Sequence, residues 1–125
     1  MHPFNENIAN TKHIVDICGA IDVGVEGELG HVGSVNDDSM EEFTDPEEAG
    51  EFVRRTGVTC LAVLIGNAHG HYKKTPCLDI ERVKAIRKAT NNTPLVLHGG
   101  SGIPDDQVKA AIKAGIRKMN IGTDV

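Results

Sequence analysis

The chain has 125 residues, 39% hydrophobic and 25% charged, with a formal net charge of -5, proportions that belong to one folded domain with a core rather than to a disordered segment. Scattered Lys and Arg beside three Phe and one Tyr form no basic stripe with stacking aromatics, which argues against a nucleic-acid partner. No run approaches about 18 apolar residues, and the first residues lack the basic and apolar regions of a signal peptide, so no membrane span or export is expected and the chain reads as cytoplasmic. Cys18, Cys60 and Cys77 are odd in number with no C-x-x-C spacing, which points to reduced, mostly buried thiols rather than a disulfide framework or a zinc knuckle.

Helical and strand signals alternate along the chain. A first helix begins near Asn5, and the spacing of Ile14, Ile17, Cys18 and Ile21 predicts that this face turns inward. Val23 to Gly30 reads as a strand with Val23, Val25 and Leu29 on one face and Glu26 and Glu28 on the other. The segment 30–43 is rich in Gly, Asn, Asp and Ser; its length suits a lid-like loop or plain disorder. Asp45 as N-cap, Pro46 in the first turn, Glu48 three residues after the cap and Gly57 as a stop frame a second helix. Thr59 to Ile65 is nearly all apolar, as in a strand covered on both faces of a parallel sheet. Asp79 caps a helix with Ile80, Val83 and Ile86 inward, and Pro94 to Leu97 is the next strand. Pro104, Asp105 and Asp106 open another helix with Val108, Ala111 and Ile112 inward, ended by Gly115, before a last strand from about Ile116 to Ile121.

The order α-β-α-β-α-β-α-β, in repeats of roughly 30 residues, predicts βαβ units and a parallel sheet. About four such units are half of a (β/α)8 barrel, which usually takes ~250 residues.

All four strand tips are polar: Glu28-Leu-Gly, Asn67-Ala-His69-Gly, His98-Gly-Gly-Ser101-Gly and Asn120-Ile-Gly-Thr123. In a parallel sheet they share one rim, the end where α/β proteins place their chemistry. His69 and His98 each close an apolar run and precede a glycine, a layout for a divalent metal, most plausibly zinc, which takes neutral imidazole and in catalytic sites about three protein ligands. Glu28 is either a further metal ligand or half of an ion pair, and Glu26 fits a buried pair with Lys or Arg better. His71, two residues beyond His69, reads as surface or as a residue supporting the metal ligands from behind. His98 to Pro104 runs from a strand into a helix start, where N–H groups and the Ser101 hydroxyl make a phosphate cradle, and Asn120 to Thr123 offers a second such turn.

With these residues in hand, the chain resembles the class II, metal-dependent ketose-bisphosphate aldolases, the family of fructose- and tagatose-bisphosphate aldolases. The resemblance rests on His2-Pro-Phe-Asn-Glu-Asn-Ile8, Val25-Glu-Gly-Glu-Leu-Gly30, Thr44-Asp-Pro-Glu-Glu-Ala49, Gly66-Asn-Ala-His-Gly70 with Tyr72 and Lys73, Leu97-His-Gly-Gly-Ser-Gly102 and Lys118-Met-Asn-Ile-Gly-Thr123. It implies the C-terminal half of a (β/α)8 TIM barrel, strands five to eight, over residues 1–125. It implies that His69 and His98 are two of three zinc-binding histidines and that Glu28 stands at the metal's alternate position. Gly70, Gly99, Gly100, Ser101, Asn120, Ile121, Gly122 and Thr123 would hold dihydroxyacetone phosphate, with a monovalent cation, Na+ or K+, near these loops. The activity implied is reversible cleavage of a fructose or tagatose 1,6-bisphosphate into dihydroxyacetone phosphate and glyceraldehyde 3-phosphate, in an enzyme expected to be a homo-oligomer.

This sequence also departs from the pattern. The family's third histidine and its proton-transferring aspartate lie on an earlier strand, upstream of Met1, so no catalytic residue is assigned in this chain. The family's loop acid falls on Gly33-Ser-Val-Asn-Asp-Asp38, where Asn36 takes its place, and no residue is assigned that role either. The isolated chain is therefore expected to bind metal weakly and to be inactive. The alternative is a noncatalytic half-barrel that binds sugar phosphate or a partner chain.

Overall fold

The computed structural model describes residues 4–30, 43–67 and 77–122. In chain order the elements are α1 (Phe4–Gly19), β1 (Glu26–Leu29), α2 (Pro46–Thr56), β2 (Cys60–Val63), α3 (Ile80–Ala89), β3 (Leu95–Leu97), α4 (Asp105–Ala114) and β4 (Ile116–Met119). The alternation expected from the sequence is the one observed. The described strands form one parallel sheet in the order β1-β2-β3-β4, the α/β arrangement of half a (β/α)8 barrel.

Local chemistry explains the helix ends. Asp45 Oδ1 accepts from the Glu47 N–H at 2.8 Å and Pro46 follows it, while Gly57 closes α2 at a φ of 76° that favours glycine. Asp79 caps α3 by accepting from the Arg82 N–H at 3.0 Å. At the start of α4 Pro104 caps without a side-chain bond, and Asp105 and Asp106 place negative charge where the helix dipole is positive.

Side chains of each strand alternate between two faces. Leu29, Leu61, Val63, Ile65, Leu95, Leu97 and Ile116 point to the helices and bury against Ala49, Phe52, Val83, Ile86 and Ala111. On β1 this face carries Gly27, where a Cβ would stand 2.8 Å from Phe52 Cε1 and 2.9 Å from Val58 Cγ1. The ring of Phe52 therefore lies directly on the strand backbone. Gly27→Ala is expected to lower unfolding free energy by about 1–3 kcal/mol, the usual cost of overpacking, and urea denaturation measures it.

The opposite face carries Glu26 and Glu28 from β1, aligned by register with Cys60 and Ala62 of β2, then Val96 of β3 and its neighbour in register, Lys118 of β4. β1 and β4 stand at opposite edges, ~14 Å apart if the sheet were flat, yet Lys118 Nζ lies 2.6 Å from Glu26 Oε2. Even with long side chains, that contact requires the sheet to curl toward this face, as a barrel wall does.

Four expectations need correction. The α1 face is not buried, since Ile14, Ile17 and Ile21 are 48%, 52% and 70% exposed. Phe4, Ile8 and Val15 meet the core instead, a second apolar stripe about 120° around the helix at 100° per residue. Periodicity detected one stripe, and packing on α2 selected the other. Ile112 is likewise 49% exposed because α4 turns Ala111 and Ala114 inward, a face centred roughly 130° away. The last strand stops at Met119, and Ile121 beyond it is exposed. Of the thiols, Cys18 and Cys60 are half-buried and Cys77 is exposed.

Candidate functional site

The rim at the C-terminal ends of the strands is built by short polar bridges between neighbouring tips. Thr44, buried just before the α2 cap, donates its hydroxyl to Leu29 O at 2.7 Å and accepts from the Leu64 N–H at 2.8 Å, which ties the end of β1 to the end of β2. Asn67 does the same between β2 and β3. Its Oδ1 accepts from the Ile65 N–H at 2.9 Å and its Nδ2 donates to His98 O at 2.8 Å, with the side chain fully buried. Between β3 and β4, the Asn120 N–H donates to Leu97 O and the Gly100 N–H donates to Asn120 O, both at 3.0 Å.

Where the chain comes back from the rim, the following helix fastens it. Arg82 of α3 donates to Thr44 O at 3.0 Å, is held by Asp79 at 3.1 Å and lies over the Phe43 ring at 5.3 Å. Gln107 of α4 accepts from the Leu78 N–H at 2.8 Å. At Gly66 the φ is 106° and a Cβ would sit 2.6 Å from Cys77 O, so outgoing and returning chain meet backbone to backbone there.

On this frame His98 stands at the tip of β3, its side chain 14% exposed. Its Nε2 is 2.8 Å from Glu26 Oε1 and its Nδ1 is 4.0 Å from Glu28 Oε2. The two carboxylates of β1 thus address the two nitrogens of one ring. Glu26 also takes Lys118, the ion pair expected for this residue, although Lys118 is 56% exposed and the pair is not buried as expected; its contact with His98 was not foreseen. Glu28 is half exposed and its backbone carbonyl accepts from Asn7 Nδ2 at 3.3 Å.

Burial opposes ionisation of Glu26, but the hydrogen bonds from Lys118 and His98, with their charge, outweigh it and hold its carboxyl below the usual glutamate range. The bond to Glu26 pushes Lys118 upward. Cys60, beside Glu26 in register, is pushed up by burial and then by that carboxylate. The stabilisation from the Glu26–Lys118 pair is present above the ordinary glutamate value and lost as pH falls through the depressed one. On the alkaline side it is present below the ordinary lysine value and lost as pH rises through the raised one. Melting curves of the chain and of Lys118→Met are therefore expected to differ most near neutrality and to converge toward acid and toward strong alkali.

The nitrogen of His98 and the oxygen of Glu28 are chemically suited to a divalent cation; 4.0 Å is too long for a hydrogen bond, and a closure of roughly 0.6 Å would bring them to the spacing of two ligands on a tetrahedral zinc with bonds of ~2.0–2.2 Å. Among the described residues no three His, Cys, Asp or Glu gather to hold a metal. His69, Gly70 and Thr123 lie outside the described residues, as does nearly all of the loop 30–43. Gly99 and Gly102 have positive φ, 66° and 82°, and Ser101 is buried within the turn they make. Gly100 packs so closely on β4 that a Cβ would lie 2.8 Å from Met119 Cε; its N–H is taken by Asn120 O, so its part in the turn is close packing. Asn120, Ile121 and Gly122 are exposed beside it.

Among the described residues no helix is long and apolar enough to cross a membrane. Residues 1–125 match the family described as class-II fructose-bisphosphate aldolase. Among solved structures, the YdjI aldolase of Escherichia coli K12 is 48% identical, with a TM-score of 0.83, over 96% of this chain and 41% of that one. The fructose-bisphosphate aldolase (Fba) of Campylobacter jejuni is 28% identical, with a TM-score of 0.79, over 98% of this chain and 39% of that one. The chain thus spans about two fifths of the length of the solved aldolases it matches, which accords with half a barrel. Sequence motifs, sheet topology and these matches agree that the chain belongs to the class II fructose-bisphosphate aldolase family.

Proposed function

We propose that residues 1–125 supply the metal- and phosphate-holding half of a class II aldolase site that cleaves a fructose or tagatose 1,6-bisphosphate to dihydroxyacetone phosphate and glyceraldehyde 3-phosphate. The observation that carries this reading is the meeting of His98 with Glu28 at the strand tips, 4.0 Å apart in a chain of this family. His98 and His69 would hold zinc, with Glu28 as an alternate ligand. Bound zinc supplies a Lewis acid for the substrate carbonyl. Gly70, the turn Gly99 to Ser101, in which Gly100 serves by close packing, and the turn Asn120 to Thr123 would grip the phosphate end through their other backbone N–H groups and hydroxyls, with a monovalent cation beside them, and so hold the reacting carbons in place.

Only two histidine ligands are assigned here, and among the described residues no group is placed to move the proton, so a polypeptide of residues 1–125 is expected to be inactive by itself. Among the described residues no strand pairs with the outer edges of β1 and β4, and these edges, with the exposed Ile14, Ile17 and Ile21, support a reading in which further polypeptide or a second subunit covers them. The segment 30–43 would serve as the lid over strands five to eight of the barrel.

The test is a coupled cleavage assay with fructose and tagatose 1,6-bisphosphate, with and without zinc and chelator. Two proteins are compared: the 125-residue chain, and the E. coli aldolase carrying these residues in place of its matching segment. The chain alone is expected to be silent and the chimera to show chelator-sensitive cleavage. Robust turnover by the chain alone overturns the half-site; a chimera that folds, by circular dichroism and a cooperative melt, yet cleaves neither sugar overturns the substrate reading.

A further inference from the structure

We infer that Glu26 is a positioning residue: by accepting from Nε2 of His98 it selects the ring tautomer whose Nδ1 lone pair faces Glu28, and so presets the histidine for metal before any metal arrives. This rests on the reading of His98 as a metal ligand. Glu26 is well made for it. Lys118 engages its other oxygen at 2.6 Å, which favours the carboxylate, and a carboxylate can only accept. The 2.8 Å contact is therefore donated by Nε2–H. In a neutral imidazole the proton on Nε2 leaves the acceptor lone pair on Nδ1. That nitrogen is the one turned toward Glu28, 4.0 Å away.

The residue is held at its backbone and at its ring. Asn67 holds the His98 carbonyl at 2.8 Å and Glu26 holds the far nitrogen, from a strand 72 residues earlier in the chain. Glu26 and Glu28 lie two residues apart on one strand face, so a single strand supplies both the orienting carboxylate and the candidate ligand. The one-residue alternation of β1 separates their tasks: the inner glutamate meets Lys118 and Nε2, and the outer one reaches toward the rim.

The experiment uses the chain with nitrogen-15 in its histidines, in mildly alkaline buffer, and reads the His98 ring by two-bond nitrogen–proton NMR before zinc is added. Zinc affinity then follows from competition with a chromophoric chelator. The metal-free chain is expected to carry the His98 proton on Nε2 alone. Glu26→Ala is expected to mix the tautomers and weaken zinc binding about 10- to 100-fold, the usual effect of losing the partner of a ligating histidine. Glu26→Gln, whose amide oxygen still accepts, is expected to keep the Nε2 proton and restore most of the affinity. Lys118→Met, which breaks only the ion pair, is expected to leave the tautomer as it is.

A wild-type ring protonated on both nitrogens, or a Glu26→Ala chain with unchanged tautomer and affinity, overturns the inference. So does a Glu26→Gln chain as impaired as the alanine variant, because that result marks a purely electrostatic role. If zinc fails to bind the wild-type chain at all, the metal reading of His98 falls, while the tautomer of the metal-free ring still decides the role of Glu26.

Discussion

Replacing His98 with alanine is expected to reduce zinc affinity beyond the ~10- to 100-fold range that follows loss of a ligating histidine's partner, since a ligand itself is removed. It is also expected to abolish cleavage by any aldolase assembled with this half. The fold should tolerate the change. The His98 side chain makes its hydrogen bond at the half-buried edge of the site, and the Glu26 carboxylate keeps Lys118 at 2.6 Å when the imidazole is gone. The stability loss should thus stay within about 1.5–3 kcal/mol, the net worth of one hydrogen bond to a charged group. Chelator competition and a urea melt on the same protein separate the two effects. Lost affinity with an intact melt supports a ligand role, whereas unchanged affinity removes His98 from the metal site.

Asn67→Ala is expected to show the opposite balance, a large loss of stability with the metal ligands still present. Asn67 is fully buried and satisfies two backbone groups on different strands, the Ile65 N–H and the His98 carbonyl. Alanine leaves both without that partner, and each buried unsatisfied group costs about 1–3 kcal/mol, so a total of roughly 2–6 kcal/mol is expected by urea denaturation. Asn67→Asp separates the two bonds. It retains an acceptor for Ile65 N–H but sets a carboxylate against the His98 carbonyl, so it should be at least as damaging. A variant at position 67 that melts like the wild type would show that the bridge does not hold the strand tips together.

Much of this was legible in the sequence because it depends on local chemistry. Asp45, Pro46 and Gly57 bound α2 through contacts within a few residues, and Val83 and Ile86 turn inward as their spacing requires. The α/β half-barrel followed from the same alternation. What periodicity could not settle was a choice between two apolar stripes on one helix, as on α1, because that choice is made by the neighbour it packs against. The polar bridges were equally hidden. Asn67 was visible as a polar tip residue, but its partner at His98 lies 31 residues away, and nothing short-range marks Thr44, Arg82 or Gln107 as rim residues. Their available signal is position: polar residues of modest size between a strand end and a helix cap, where backbone groups of two strands need partners. Glu26 was assigned an ion pair from its inward face; its contact with His98 depends on the curl of the sheet, which alternation does not encode.

The fastening of each returning segment by the next helix bears on how such a site can diversify. Because Arg82 anchors Thr44 and Gln107 anchors Leu78, the strands and helices meet the rim at fixed points whatever sequence lies between one strand tip and the next anchor. Insertions, deletions and substitutions in those connections can then be absorbed without disturbing the registry of the sheet. The anchors thus carry the folding constraint, and the length of the connections is left free of it.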